Sequence, residues 1–241
     1  MATIKTERLE DLDYPTSDGR PMAETDWHRN LMFALIKTLE AYYAADPMAY
    51  VSGNRLVFYK PGDRRRHVAP DVFVVKGVPK AERPNYLIWR EGKAPDLIIE
   101  LTPRSTRKED IKDKSALYRD RLRVREYFLF DPFMDYLDPP LQGYRLRKRK
   151  YVPIKPVKHR LPSQVLGLHL ERHGRELRLY DPATGAWLLT PDEARQQAEE
   201  ARRQAEERQR QAEAARRQAE ADVERLRREL DNLRRRRGGR P

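Results

Sequence analysis

Apolar positions recur with a helical period over residues 25–45, TDWHRNLMFALIKTLEAYYAA. Trp27, Leu31, Leu35, Leu39 and Tyr42 follow one another at steps of four, four, four and three. Thr25 stands where an N-cap belongs, so the pattern predicts an amphipathic helix. Three short runs rich in branched and aromatic residues come next, bounded by Gly or Pro: Asn54 to Tyr59, Asp71 to Val75 and Asp96 to Leu101. They read as strands, and the second and third are nearly all apolar, as expected where both faces of a sheet are covered. From Thr106 to Leu122 the helical period returns through Ile111, Lys114, Tyr118 and Leu122, with Thr106 and Glu109 spaced as a capping box. A fourth strand, Glu126 to Phe130, stops at Asp131-Pro132. The predicted order is helix, three strands, helix, strand. From Tyr144 to Leu189 shorter runs separated by Pro, Gly and a His173-Gly174 turn predict β-hairpins that extend or flank the same sheet.

Beyond residue 190 the pattern changes to a seven-residue repeat, with Ala198, Ala205, Ala212 and Ala219 each following Gln in a QAE triplet. Ala201 and Ala215 continue the second seam position while Arg208 and Asp222 interrupt it, so the Ala seam is narrow. Val223, Leu226, Leu230 and Leu233 supply stronger packing after two consecutive four-residue steps, a stutter in the heptad. A long helix is predicted, with a coiled coil near its C-terminal half that makes a homodimer. The alternative is a solitary charged helix held by intrahelical Glu–Arg pairs. Two domains follow from this change of pattern, residues 1–189 and the charged helical tail 190–241.

Charge sharpens the division. The 241 residues carry a formal +12, and residues 190–241 hold 15 Arg and 12 acidic residues with no Lys, Phe, Tyr or Trp. Residues 1–189 keep 35 basic and 26 acidic side chains, a net +9 that fits a polyanionic partner. Absence of cysteine excludes disulfides, thiolate nucleophiles and Cys-ligated metals, and fits a reducing cytoplasm. The first 15 residues have no apolar h-region, and no apolar stretch approaches the roughly 20 residues of a membrane span. The expectation is a cytoplasmic protein without a membrane segment.

Candidate chemistry centres on acidic residues in apolar strands. Pro70-Asp71 and Pro95-Asp96 precede strands, and Glu100 sits late in one, where an unpaired buried charge is costly. If the strands at 71–75 and 96–101 are antiparallel neighbours, Asp71 faces Glu100 at a Cβ separation of roughly 4.5 to 5.5 Å. Asp96 then lies roughly 13 Å from Glu100 along the strand. Asp71 and Glu100 can share a cation, and two hard oxygen ligands suit Mg²⁺ or Mn²⁺. Lys114 occupies the inward stripe of the next helix, where an ammonium can position a water and balance charge on a phosphorane-like transition state. His28, beside Trp27, is an auxiliary candidate, the alternative being a satisfied helix histidine. Arg64, Arg65 and Arg66 precede Asp71 and are candidates for DNA phosphate contacts, the alternative being solvated surface charge. Arg145, Lys148, Arg149 and Lys150 either extend that track or protect an edge strand. The five histidines lack metal-ligand spacing, and no P-loop, GxGxxG, GxSxG or Ser/His/Asp pattern occurs.

Residues 69–72 (APDV), 95–106 (PDLIIELTPRST), 110–118 (DIKDKSALY) and 126–132 (EYFLFDP) together resemble the PD-(D/E)XK nuclease superfamily, and most closely its restriction-endonuclease-like Uma-two family. The resemblance spans roughly residues 10–189. It implies an α/β restriction-endonuclease-like core of order αβββαβ, here with additional hairpins and the long C-terminal helix. It also implies Asp71 and Glu100 as metal ligands, Lys114 as the basic residue supplied from the following helix, and a His near position 28. One position departs from the superfamily: Thr102 stands two residues after Glu100, where the pattern has Lys. The function implied is a Mg²⁺- or Mn²⁺-dependent endonuclease that hydrolyses DNA phosphodiester bonds. The alternative is an inactive nuclease fold that binds DNA or partners and oligomerises through its C-terminal helix.

Overall fold

The computed structural model describes residues 14–17, 25–102 and 108–237, the side chains of 108–111 and 235–237 excepted. The chain divides into two compact units, Met1–Thr190 and Pro191–Pro241.

In the first unit the helix α1 spans Asp26–Tyr42, and the Thr25 side chain caps it by accepting the His28 amide at 3.2 Å. Its buried face is His28, Leu31, Met32, Leu35, Ile36 and Leu39, with Tyr43 just beyond, while Trp27 is half-buried and Tyr42 exposed. The expected stripe through Trp27 and Tyr42 is therefore rotated. At 3.6 residues per turn each four-residue step overshoots the helix period, so both ends of a four-four-four series drift off the face centre.

Next come β1 (Ala49–Ser52), β2 (Val57–Phe58), β3 (His67–Val68), β4 (Val72–Lys76), β5 (Tyr86–Leu87), the short α2 (Ile88–Glu91) and β6 (Leu97–Leu101). Here the expected first strand is corrected. Within residues 54–59 only Val57–Phe58 is extended, and it joins β3 and β5 in a separate three-stranded sheet. The central sheet instead begins with β1, four buried residues too few to display a period. Helix α3 covers Lys108–Ala116 and runs into a π-helical segment, Leu117–Leu122, closed by Arg123 in the left-handed region at φ 58°. The expected capping residue Thr106 and the side chains of Glu109 and Ile111 lie outside the described residues. Strand β7 (Glu126–Phe130) has the expected bounds.

The central sheet has the order β1-β4-β6-β7-β8-β9, with β8 at Leu141–Arg147 and β9 at Lys150–Pro153. Within this sheet, among the described residues, only β6 and β7 are parallel, and α3 with its π-helical extension is the crossover that a parallel pair requires. The remaining strands, β10 (Leu161–Pro162), β11 (His169–His173), β12 (Glu176–Asp181) and β13 (Ala186–Trp187), form a four-stranded antiparallel sheet of their own. The expected hairpins thus divide between extending the central sheet and flanking it.

Strict alternation gives the central sheet two apolar faces. Val72, Val74, Leu97, Ile99, Phe128 and Phe130 pack with α1 and with leucines of the β10–β13 sheet. Phe73, Val75, Ile98, Tyr127 and Leu129 pack with Tyr118 and Leu122 of the crossover. Helix-side and sheet-side burial together fix which end of each strand faces which element, and so where the acidic residues emerge.

The second unit is the 47-residue helix α4, Pro191–Arg237, about 70 Å long at 1.5 Å per residue. Its surface carries i,i+4 ion pairs, among them Arg202–Glu206 and Arg216–Glu220, each at 2.8 Å. Val223, Leu226, Leu230 and Leu233 are 50–60% exposed. Among the described residues no helix is long and apolar enough to cross a membrane.

Candidate active site

Strands β4 and β6 pair antiparallel through Val72↔Ile99, Phe73↔Ile98 and Val74↔Leu97. One further step of that register sets Asp71 opposite Glu100, on the face carrying Phe73 and Ile98. Asp71 is fixed from below by the chain after β1. Asn54 N–H donates to Pro70 O at 2.8 Å, and a Cβ at Gly53 would fall 1.9 Å from the Asp71 carbonyl oxygen. Only glycine permits this approach.

Each carboxylate is held by two donors. Asp71 Oδ2 accepts the Leu101 amide at 2.6 Å, and Oδ1 lies 3.3 Å from His28 Nε2. Glu100 Oε2 accepts from Lys114 Nζ at 2.9 Å, and Oε1 accepts from the Tyr118 hydroxyl at 2.5 Å. Lys114 and Tyr118 lie four residues apart across the junction of α3 with the π-helical segment, so one helical face delivers both. Access is graded: the side chains of Glu100, Asp71 and Lys114 are 5%, 15% and 32% exposed. Glu100 is buried, Asp71 nearly so, and the lysine is the most exposed of the three.

The Glu100 carboxyl is pushed up to about 7, by burial first and the charge of Asp71 as well, against the opposing pull of Lys114 and Tyr118. Burial and the Glu100 charge hold the Tyr118 hydroxyl well above its ordinary range, which keeps it a donor. A carboxylate has about four lone-pair sites, so each oxygen keeps one free after its protein donor is counted. Two such carboxylates form a hard oxygen donor set suited to Mg²⁺ or Mn²⁺. Among the described residues no three His, Cys, Asp or Glu side chains converge, so water and phosphate would have to complete the coordination.

Thr102, at the position of the superfamily lysine, is buried, and its hydroxyl donates to Phe130 O at 2.8 Å. It ties β6 to β7 and brings no charge to the site. Asp96 lies at the far end of β6, as the strand arithmetic predicts. It accepts from the Lys76 amide at 2.8 Å and pairs with Lys93 at 2.7 Å, a sheet-end anchor.

Arg64, Arg65 and Arg66 occupy the turn of the β2–β3 hairpin. Asp63 draws Arg65 to 3.3 Å and Arg66 to 3.8 Å, while Arg65 remains largely in solvent. Arg66 and Lys60 share a groove of about 310 Å³ with Ala116, Leu117 and Arg121, at the end of α3 that follows Lys114. Arg145 leaves the expected basic track: its guanidinium is largely buried, paired with Glu126 at 2.8 Å and donating to Pro162 O at 3.0 Å. The fully buried Glu126 carboxylate needs that cation, which outweighs any surface role. Lys148 and Arg149 form the two-residue turn joining β8 to the edge strand β9.

Tyr118, the Leu101 amide and Gly53 were not singled out as site components by the sequence. A tyrosine in an inward stripe reads as core, and its spacing of four from Lys114 was the available signal.

The Uma2 family, described as "Putative restriction endonuclease", matches residues 5–173. The chain belongs to that family. Among solved structures, one described as "a putative nuclease belonging to DUF820 from Anabaena variabilis" is similar over 61% of this chain and 79% of its own. The two share 15% identity at a TM-score of 0.46. Comparison with curated proteins gives no match.

Proposed function

We propose that this chain is a divalent-metal-dependent endonuclease that hydrolyses DNA phosphodiester bonds with Asp71, Glu100 and Lys114. The observation that carries the reading is the meeting of two carboxylates at one sheet end with a lysine 2.9 Å from one of them. Asp71 and burial both disfavour the Glu100 charge, and a cation between the two carboxylates relieves that conflict. Asp71 and Glu100 would hold Mg²⁺ or Mn²⁺ through their free lone pairs. When bound, the ion supplies Lewis acidity at a phosphoryl oxygen and makes water a better nucleophile.

The side chains divide the remaining work. His28 and the Leu101 amide orient Asp71, and Tyr118 holds one oxygen of Glu100 so that the carboxylate cannot rotate away. Lys114, the most exposed of the three, orients the attacking water and offsets negative charge that develops on the phosphoryl oxygens in an in-line displacement. Arg64, Arg65 and Arg66 contact DNA phosphates, and the groove that Arg66 shares with Arg121 continues that track toward Lys114. The net +9 of residues 1–189 favours the same polyanion. We further propose that α4 pairs with a second copy of the chain through its exposed Val223–Leu233 row, and that the protein acts in the cytoplasm.

Thr102 favours a second reading, an inactive nuclease fold that binds DNA without cutting it. Supercoiled plasmid incubated with purified protein separates the two. Nicking with Mg²⁺ or Mn²⁺ that a chelator abolishes is the expected result. Retardation of the plasmid with no nicking under any metal would establish the binding module instead.

A further inference from the structure

Strands β10 to β13 turn alternate residues to the two faces of their sheet. Leu161, Leu170 and Leu179 pair across neighbouring strands and face inward, into the core shared with α1. Their neighbours in sequence face outward and fall into two cross-strand rows. One row runs Pro162, His169, Tyr180, Trp187 over all four strands. With strands about 4.8 Å apart it is about 14 Å across. The other sets Glu171 opposite Arg178, with Arg160 one register step before Leu161. Because the inner face meets α1, the outer face lies away from the crossover that carries Lys114 on the opposite side of the central sheet.

The outward rings pack on one another. Tyr180 meets Trp187 edge to face with centroids 5.3 Å apart, and His169 at 6.3 Å. Arg160 sets its guanidinium carbon 3.7 Å from the Tyr180 centroid and 4.9 Å from that of Trp187, while Glu171 holds it at 2.7 Å. Arg178 reaches the Trp187 ring at 5.9 Å. His169, Tyr180, Trp187 and both arginines are half-buried, so each keeps part of its surface in solvent. Exposed Lys155 and Lys158 precede β10, the second in the tight turn that the Val157–Arg160 bridge closes. Glu171 and Glu176 are the acidic side chains on this face of β11 and β12, and Glu171 is already paired, so the face with its border stays basic. A sheet face that meets only water is ordinarily polar, and solvation alone does not account for an aromatic row across four strands.

We propose that the outer face of the β10–β13 sheet is a second nucleic-acid site, a platform on which unpaired bases of single-stranded DNA stack. Trp187 and Tyr180 supply the rings, and the guanidinium of Arg160, held by Glu171, supplies a planar cation between them. A four-stranded sheet with an aromatic row of this width takes two or three bases. Arg178 and the lysines at the β10 border face the phosphates that run beside those bases. Stacking tolerates any base, so the site reads strandedness and not sequence. Duplex DNA keeps its bases stacked on one another and offers this row nothing. The site is separate from Asp71 and Glu100 and does not depend on cleavage there.

The test uses the full chain in chelator, so that metal-dependent cleavage plays no part, with a labelled oligothymidylate and a duplex of the same length as probes. Elevated salt weakens binding that rests on phosphate contacts alone, that of the α4 arginines included. Oligothymidylate should quench tryptophan fluorescence, and Trp187→Phe should remove most of that quenching. Trp187→Leu should weaken oligothymidylate affinity roughly 5- to 150-fold, the loss of one stacked base, and leave duplex affinity unchanged. Trp187→Phe keeps a ring and should retain most of the single-strand affinity. Unchanged oligothymidylate affinity in Trp187→Leu would overturn the proposal, as would an equal loss for the duplex. A Phe variant as weak as the Leu variant would overturn it too, since a residue that only packs the sheet edge would behave so.

Discussion

At Glu100 several influences meet: burial, opposed by Lys114 and Tyr118 and reinforced by the charge of Asp71, leaves its carboxyl raised from 4.5 to about 7. The folded protein then keeps a proton that the unfolded chain releases between those values. The group's stabilising contribution is therefore full below about pH 4.5 and disappears as the pH rises through about 7. In chelator, the melting temperature relative to Glu100→Gln should fall over that window, since an amide does not titrate. A pH-independent difference between the two proteins would rule this out. The catalytic tasks separate by substitution as well. Asp71→Asn and Glu100→Gln should abolish nicking and weaken Mg²⁺ binding with the fold intact. Lys114→Ala should change metal affinity little and lower turnover by a factor of order 10² to 10³, as for a lost transition-state donor. Nicking at the unsubstituted rate in either carboxylate variant would place the activity elsewhere. Asp71 and Glu100 are legible in sequence because acidic residues break an apolar strand pattern. Tyr118 is not, because its ring satisfies the helical stripe and only its hydroxyl serves Glu100. The Leu101 amide leaves no side-chain signal at all.

Elements were readable in proportion to how many periods they display. Strands β4, β6 and β7 carry clear enough boundaries to be placed within one position, and helix α1 enough periods to be placed within three. Strand β1 has four buried residues and no period, while the longer run at 54–59 has the composition of a strand but is mostly connection. The π-helical end of the crossover has no signature in a stripe whose steps of four also suit an α-helix. The β2–β3 hairpin is the element whose proposed role is most easily isolated, since its arginines are proposed to contact phosphates and not to hold the metal. Replacing Arg64, Arg65 and Arg66 with Ala should weaken DNA binding and reduce the slope of log affinity against log salt by up to about three phosphate contacts. Asp63 already engages Arg65 and Arg66, so the reduction should approach that limit only if DNA displaces those pairs. A fluorescence titration across salt concentrations measures the slope, and an unchanged slope removes the hairpin from the interface.

On the scale of the whole molecule, the described residues of the first unit fold around shared apolar cores and those of the second form one charged helix. Glu–Arg pairs of the kind α4 carries contribute only about 0.2 to 0.5 kcal/mol each, and exposed pairs are screened by salt. The leucines near its end do not contribute at all while they face water. Val223, Leu226, Leu230 and Leu233 follow one another at three, four and three residues, a seam of about one and a half heptads. Burying these side chains against a second copy removes apolar surface worth roughly 1.5 to 3 kcal/mol per side chain when burial is complete. That gain is opposed by the cost of association, so the dimer should be concentration-dependent and dissociate on dilution. Sedimentation at micromolar concentration should find a dimer. Leu226→Asp with Leu230→Asp should give a monomer, because each would place a carboxylate in the seam. The doubly substituted protein should still nick plasmid, though a second copy that steadies DNA binding would be lost. An intact chain that sediments as a monomer across that concentration range would show that α4 stands alone, held by its intrahelical pairs.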